Sequence, residues 1–310
     1  VTADGELIRA DDTQNVDLFW AARGAGPGYC GIITRFHLRT RPIPVGLSSM
    51  VQAFPVDKYA DVLGWLCAEQ HSIPDTVHLV AISSVPQFPI PGHPDGELLF
   101  VVWAVAFCNS EDESRAALAP LTEGPFANHA LFAIDPHPTT LQNEYAFVDS
   151  SHPSGYRYRV DSAWVDGAPS QIVAASSRLV LERPRNEPGH TFFQFALPHE
   201  GPDIAMSLKT DVMIGTYVIY EDSASDEIHR DWLLSAMQDL EPLTIGQYWG
   251  DSDQQNRRVK CLTDASWTRL QQIRAERDPD GVFEEYLAGE SGFDNTNAWE
   301  AVTDRMDAGR

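Results

Sequence analysis

ADGELIRADDTQNVDLFWAARGAGPGYCGIITRFHLRTRPIP, running from Ala3 to Pro44, is the stretch whose reading decides the fold. Asp4-Gly5 reads as a hairpin turn, with Val1-Thr2 before it and Glu6 to Arg9 after it. Only two residues precede that turn, so the first arm is a stub, and a further segment ahead of Val1 is expected. Asn15 to Arg23 reads as a short helix with Leu18, Phe19 and Ala22 on one side. Gly24, Gly26, Gly28 and Gly31 follow, and then IITRFHLRT (32–40) reads as a strand ended by Pro42 and Pro44. Glycines permit positive φ and let backbone N–H groups come close to an anion. These glycines precede a strand instead of joining a strand to a helix, which is the wrong order for a Rossmann turn, and no GxxxxGK[ST] is present. Taken alone, the cluster also suits a tight turn.

Outward from Leu47 the pattern becomes β-α-β-β-α-β. LSSMVQAFPV is a strand, and Asp57 to Gln70 is an amphipathic helix with Tyr59, Val62, Leu63, Leu66 and Cys67 inward. VHLVAISSV and GELLFVVWAVAF are strands, Glu111 to Leu118 is a helix that Pro120 is expected to stop, and ALFAI is a strand. That order predicts an α+β class with a ferredoxin-like antiparallel sheet and helices on one face. Residues 136–170 look loop-rich and aromatic, and HTFFQFAL and DVMIGTYVIY extend the sheet, with Tyr217 and Tyr220 on opposite faces. Two helices close the chain. Asp226 to Leu240 carries Ile228, Trp232, Leu233, Met237 and Leu240 at helical spacing; the second has Asp264 as its expected N-cap and Trp267, Leu270 and Ile273 on one stripe. Pro279 and Gly281 stop it, and a polar tail follows from Gly289. No internal sequence repeat stands out.

The chain has 310 residues and a formal net charge of −23, a field that repels nucleic acid and anionic membrane. Its longest apolar run, Leu98 to Cys108, is too short to span a bilayer. Cys30, Cys67, Cys108 and Cys261 are widely spaced and read as buried free thiols. The histidines show no HExxH and no metal-ligand spacing, so no metal is expected; there is no GxSxG elbow. Asp251 and Asp253 lack the remainder of an EF-hand loop. No signal peptide opens the chain, which makes a cytoplasmic location the default expectation.

The ordered run of D-G hairpin, DLFWAAR-G helix, glycine cluster and GIIT-x-F resembles the last third of the PCMH-type FAD-binding domain of the vanillyl-alcohol-oxidase superfamily. GQYWGDSD followed by ASWTRLQQIRAERDPDGVF resembles the C-terminal element of the berberine bridge enzyme-like branch, where a Y-x-N strand leads into a helix that returns to the flavin domain. The resemblance implies residues 1–44 as part of the FAD-binding domain, 45–240 as substrate domain, 241–288 as the returning element and 289–310 as tail. It implies FAD as cofactor, with Gly26, Gly28, Gly31, Ile32, Ile33 and Gly250 along its wall; Gly250 stands where the family has asparagine, and Tyr29-Cys30 where it has Asn-Phe. The family's N-terminal half, with its main pyrophosphate loop and flavin-linking histidine, is not matched, so a missing N-terminal segment or complementary chain is an implied partner.

Tyr248 matches the tyrosine that faces substrate in some relatives, and SGYRYRVDSAWVDG (154–167) resembles the segment over the reacting face, which brings in Tyr156 beside Tyr158, Arg157 and Arg159. Tyr248 and Tyr156 are thereby the implied catalytic residues. A phenol with a pKa near ~10 needs a neighbouring cation to act as a base. For Tyr248-Trp249 a packing pair, and for 156–159 an edge strand with solvated arginines, are the alternatives. The implied reaction takes a hydride from a small-molecule alcohol, sugar or amine, with dioxygen as final acceptor. The rival expectation is a flavin-free small-molecule binding or scaffold protein on the same fold.

Overall fold

The computed structural model describes residues 1–86, 89–90, 92–184, 188–195, 201–254 and 256–284. They divide into two compact units: one of residues 1–41, 201–209 and 245–284, the other of 42–195 and 210–244.

The first unit joins segments far apart in sequence. Helix α1 (Val16–Ala21) buries Leu18, Trp20 and Ala21, and helix α7 (Asp264–Arg277) buries Leu270 and Ile273. These share one apolar cluster with Ala25, Cys30, Ala205, Cys261 and Leu262. Polar contacts fix the register. Arg277 pairs with Asp17 through Nε at 2.8 Å, and Trp20 Nε1 donates to Asp203 at 2.8 Å while Arg269 lies 4.1 Å over its ring. Residues 201–209 therefore belong with this unit, which splits the expected 45–240 block. Asn15 caps α1 from a left-handed conformation (φ 46°), and its side-chain amide donates to the Arg9 carbonyl at 2.7 Å. The N-cap of α7 is Thr263 instead of Asp264: its hydroxyl accepts from the Ser266 N–H at 3.3 Å, leaving Asp264 in the first turn. The expected tail from Gly289 lies outside the described residues.

The second unit is built on an antiparallel sheet. Its first half is β1 (Gly46–Pro55), α2 (Tyr59–Glu69), β2 (Val77–Ser84), β3 (Leu99–Cys108), α3 (Glu111–Thr122) and β4 (Phe132–Pro138). The spatial order β4-β1-β3-β2 is the ferredoxin-like order. After α4 (Leu141–Ser150) the motif recurs as β5 (Arg157–Val165), α5 (Pro169–Leu181), β6 (Gly189–Phe195), β7 (Val212–Tyr220) and α6 (Asp226–Gln238). The order β6-β7-β5 mirrors β2-β3-β1, and β2 meets β6 antiparallel from Val80↔Gln194 to Ser84↔His190. The architecture thus holds a repeat that the sequence hides. A short strand β8 (Thr244–Gly246) begins where this unit ends.

Strand alternation gives the sheet two distinct faces. Phe100, Ser83, Thr191 and Thr216 lie on one, beneath the helices: Ser83 Oγ and Thr191 Oγ1 donate to carbonyls of α5, at 3.2 and 2.8 Å, and Tyr59 of α2 meets the Phe100 ring edge-on at 5.9 Å. The five inward residues expected of α2 are all buried. Pro120 does not stop α3. It sits within the last turn, where its missing N–H costs one bond near the helix end, while Ser110 caps the start at 3.2 Å. The loop expected over 136–170 contains α4 and β5, and α5 is a helix whose stripe is interrupted by Ser176; that hydroxyl returns to the Ile172 carbonyl at 2.8 Å, which is how a buried serine sits in a helix. Ile228, expected inward on α6, is exposed.

Candidate functional site: a glycine-loop wall and an open sheet face

In the first unit, the hairpin turn forms at Gly5 (φ 84°), with Thr2 N–H donating to Glu6 O at 3.0 Å. Val1 then pairs both ways with Ile32: Ile32 N–H donates to Val1 O at 2.9 Å, and the Val1 amino group donates to Ile32 O at 2.6 Å. Beyond Ile32 the expected strand is absent. Residues 33–41 make no backbone hydrogen bond to any described residue, and Phe36 and Leu38 are 67% and 82% exposed. A strand needs a neighbour to complete its ladder, and no described segment offers one.

The expected wall residues separate into two groups. Gly26 (φ 54°) and Gly28 form a short 3₁₀ turn, and a Cβ on Gly26 would stand 2.6 Å from the Trp249 ring. Trp249 Nε1 donates to Gly24 O at 3.1 Å, and Arg274, buried on α7, donates to Gly28 O at 3.0 Å. For Gly26 the requirement is close packing against the Trp249 ring, while the flanking carbonyls of Gly24 and Gly28 are held by Trp249 and Arg274. Gly31, Ile32 and Ile33 differ. The N–H groups of Gly31 and Ile33 have no partner among the described residues, Ile32 and Ile33 are exposed, and a Cβ at Gly31 would stand 3.2 Å from the Tyr29 ring. A narrow backbone edge with two open donors fits one side of a nucleotide cofactor's phosphate-bearing chain without a basic patch.

The returning element brings Tyr248, Trp249 and Gly250 together beside the same loop. Tyr248 and Trp249 rings lie 5.2 Å apart, and a Cβ on Gly250 would come within 2.7 Å of the Tyr248 ring. The glycine in place of asparagine is what lets the phenol fold back over the backbone. Burial, with the Asp251 carboxylate adding to it, raises the Tyr248 phenol above its ordinary value. At neutral pH Tyr248 is therefore a hydrogen-bond donor and not a ready base.

In the second unit, Tyr156 is half-buried just ahead of β5. Arg157 is exposed but paired: Nε donates to Asp226 at 2.6 Å, Nη2 completes a bidentate pair, and Tyr220 OH donates to the same carboxylate at 2.7 Å. This network holds the Asp226 carboxyl down at about 2. Tyr158 OH donates to Pro153 O at 2.6 Å. The sheet face away from the main helix layer carries Trp103, Val80, Ile82, Phe192, His190 and Tyr217. Helix α4 lies on this face: Phe147 sits 5.1 Å from Trp103, and Glu144 accepts from Trp103 Nε1 at 3.2 Å and Thr139 Oγ1 at 2.6 Å. Of the two tyrosines of β7, Tyr217 is the one on the open face, stacked on His190 at 4.9 Å, while Tyr220 lies under α6 against His229. His190 and His152 carry no motif. Their only trace in sequence is the alternation that puts His190, Phe192 and Gln194 on one side of a strand.

No family model matches the chain. The FAD-linked oxidoreductase ptmO of Penicillium ochrochloron is 29% identical over 284 residues, which cover 90% of this chain and 61% of that protein. Among solved structures, the xylooligosaccharide oxidase from Myceliophthora thermophila C1 in complex with xylobiose superposes with a TM-score of 0.72 at 16% identity, covering 92% of this chain and 63% of the other. Wild-type Physcomitrella patens BBE-like 1 gives 0.69 at 15% identity, with the same coverage of 92% and 63%. The chain spans about 61% of the length of the curated relative, and matches it along nearly all of its own. By sequence it is a homologue of the FAD-linked oxidoreductases, and by fold it resembles solved structures that include a xylooligosaccharide oxidase and a BBE-like protein.

Proposed function

We propose that this protein works as an FAD-linked oxidase on a small-molecule alcohol, sugar or amine, with dioxygen as the final electron acceptor. The observation that carries the reading is the open backbone edge at Gly31–Ile33, on a core shared by α1 and α7, in a homologue of FAD-linked oxidoreductases. The sugar class is supported by the fold shared with a xylooligosaccharide oxidase bound to xylobiose.

Within this reading the N–H groups of Gly31 and Ile33 bind phosphate oxygens, and Arg274 and Trp249 hold the turn before them in shape. When bound, FAD supplies an acceptor for a substrate hydride. Tyr248 is the first candidate to orient a substrate oxygen through a hydrogen bond from its phenol, and Tyr156, on the substrate unit, is the second candidate polar group. The unpaired residues 33–41 seat a β-strand from the part of the relatives' length that this chain does not span, in the same polypeptide or a complementary one.

The test is the visible spectrum of protein purified from the longest reading frame that contains these codons. Oxidised flavin bands near about 375 and 450 nm are expected. A colourless product that stays colourless with added FAD contradicts the proposal and favours a flavin-free binding or scaffold protein.

A further inference from the structure

Strands β6 and β7 are paired neighbours, with Phe195 opposite Val212, so a turn of about two to five residues would join them. The chain instead uses residues 196–211 for the connection, and residues 201–209 of it pack within the first unit. Ala205 is fully buried in the apolar cluster of α1 and α7. On either side of it the segment is anchored. Asp203 accepts from Trp20 Nε1 at 2.8 Å and from Arg269 Nη1 at 2.7 Å, and Arg23 Nη2 donates to the Asp203 carbonyl at 3.3 Å. Ser207 Oγ accepts from the Thr263 N–H at 3.0 Å, at the cap of α7. Arg269, with the Trp20 indole, holds the Asp203 carboxyl below its ordinary value, so the first anchor is ionised at neutral pH.

Between the anchors the segment meets the glycine turn. Ala205 N–H donates to Trp20 O at 3.4 Å, and Met206 N–H donates to Arg23 O at 3.3 Å. Gly24 has φ 120°, and a Cβ there would stand 2.3 Å from the Met206 nitrogen. Only glycine lets the two backbones come this close. Trp249 Nε1 donates to the carbonyl of the same residue. Gly24, which opens the glycine run, therefore serves the β6–β7 connection. Beyond it, Gly28 N–H donates to Ala25 O at 3.0 Å and Tyr29 N–H to Gly26 O at 3.1 Å, so the placement of Gly24 is passed along the turn toward Gly31.

We infer that Asp203 and Ser207 are positioning residues: they clamp the β6–β7 connection against the first glycine of the turn, and so set the backbone edge at Gly31–Ile33 for a nucleotide cofactor. The role, though not the clamp, rests on the oxidase reading. The Asp203 side chain is 75% exposed, so its ion pair is screened and contributes little alone; the clamp needs both anchors.

Two readouts test it. In the flavin-free full chain, amide exchange at Ala25, Gly28 and Tyr29 reports the turn, because each of these N–H groups is hydrogen-bonded at the helix end or within the turn. Asp203→Ala combined with Ser207→Ala is expected to speed exchange at these three amides about tenfold, the usual worth of one or two hydrogen bonds, and to leave β3 unchanged. Asp203→Asn, which keeps an acceptor for Trp20, is expected to stay within about threefold of the parent. Arg230→Gln, which removes an ion pair with Asp231 on α6, is expected to change neither region. If the paired substitution does not fold, Ser207→Ala alone is read, with about threefold expected. In the flavin-containing protein the paired substitution is expected to raise the FAD dissociation constant about tenfold. Unchanged exchange at the three amides, or equal acceleration in β3, overturns the clamp. Unchanged FAD affinity in a protein that does hold flavin removes this inference alone; a protein with the expected exchange that never takes up flavin removes the oxidase reading alone.

Discussion

Two stretches that both read as strands in sequence behave in opposite ways. Strand β3 (Leu99–Cys108) of the second unit is paired along both edges, to β1 and to β2, and most of its side chains are buried. Residues 33–41 of the first unit bear alternating apolar residues, yet they make no ladder and expose Phe36 and Leu38. Alternating apolar residues specify an extended chain; they do not specify where its partner comes from. A sheet closed within one unit is a self-sufficient core. The glycine-loop unit has a core of its own but keeps one open backbone edge.

The widest separation between the two regions is expected in stability. Phe193→Ala, at the centre of the helix-covered face, should lose about 3–5 kcal/mol, because Phe193 is fully buried. Phe36→Ser should stay within about 0.5 kcal/mol of the parent in a urea melt. A comparable loss from both would break the comparison. Next comes Arg274→Met, which removes the donors to Gly28 O and Phe283 O. Asp278 keeps the N–H groups of Val282 and Phe283, at 2.7 and 2.9 Å, so the cost should be about 2 kcal/mol instead of that of a stranded buried charge. Gly26→Ala should cost about 2 kcal/mol through the Trp249 ring and its positive φ; Gly5→Ala, with open space around it, should cost about 1.

A further contrast is a pH slope confined to the second unit. His190 is depressed from 6.5 to about 3, so the unfolded chain takes a proton that the folded one refuses. The second unit should therefore be fully stable above about 6.5 and lose stability as pH falls toward 3. His190→Phe should flatten that slope in acid melts, and an unchanged slope would contradict the assigned burial. Asp226, held at about 2 by Arg157, adds a separate loss as pH falls from its ordinary carboxylate value through 2, which Arg157→Gln should remove.

Much of this was legible in the residues. The order of elements from Leu47 to Ile134 gave the ferredoxin-like half, and the helical stripe of α2 matched its buried face residue for residue. The glycine run and the RDPDG helix pointed to a shared core, which Leu270, Ile273 and Ala25 make. Other features left no mark. α5 was hidden because a buried serine bonds its own helix backbone, and α4 because none of its residues is buried. The repeated β-α-β-β-α unit shows only in topology, since packing constrains volume and face, not identity. The His152–His190–Tyr217 cluster joins strands and a turn that pairing alone brings together.

The most direct test of the account is amide hydrogen exchange at Gly31 and Ile33 in the flavin-containing protein, measured before and after removal of FAD. Both amides should be protected with FAD bound and exchange rapidly once it is gone, while β3 stays protected throughout. Amides at Gly31 and Ile33 that exchange at the same rate in both states, in a protein that demonstrably holds FAD, would contradict the assignment of this edge to the cofactor.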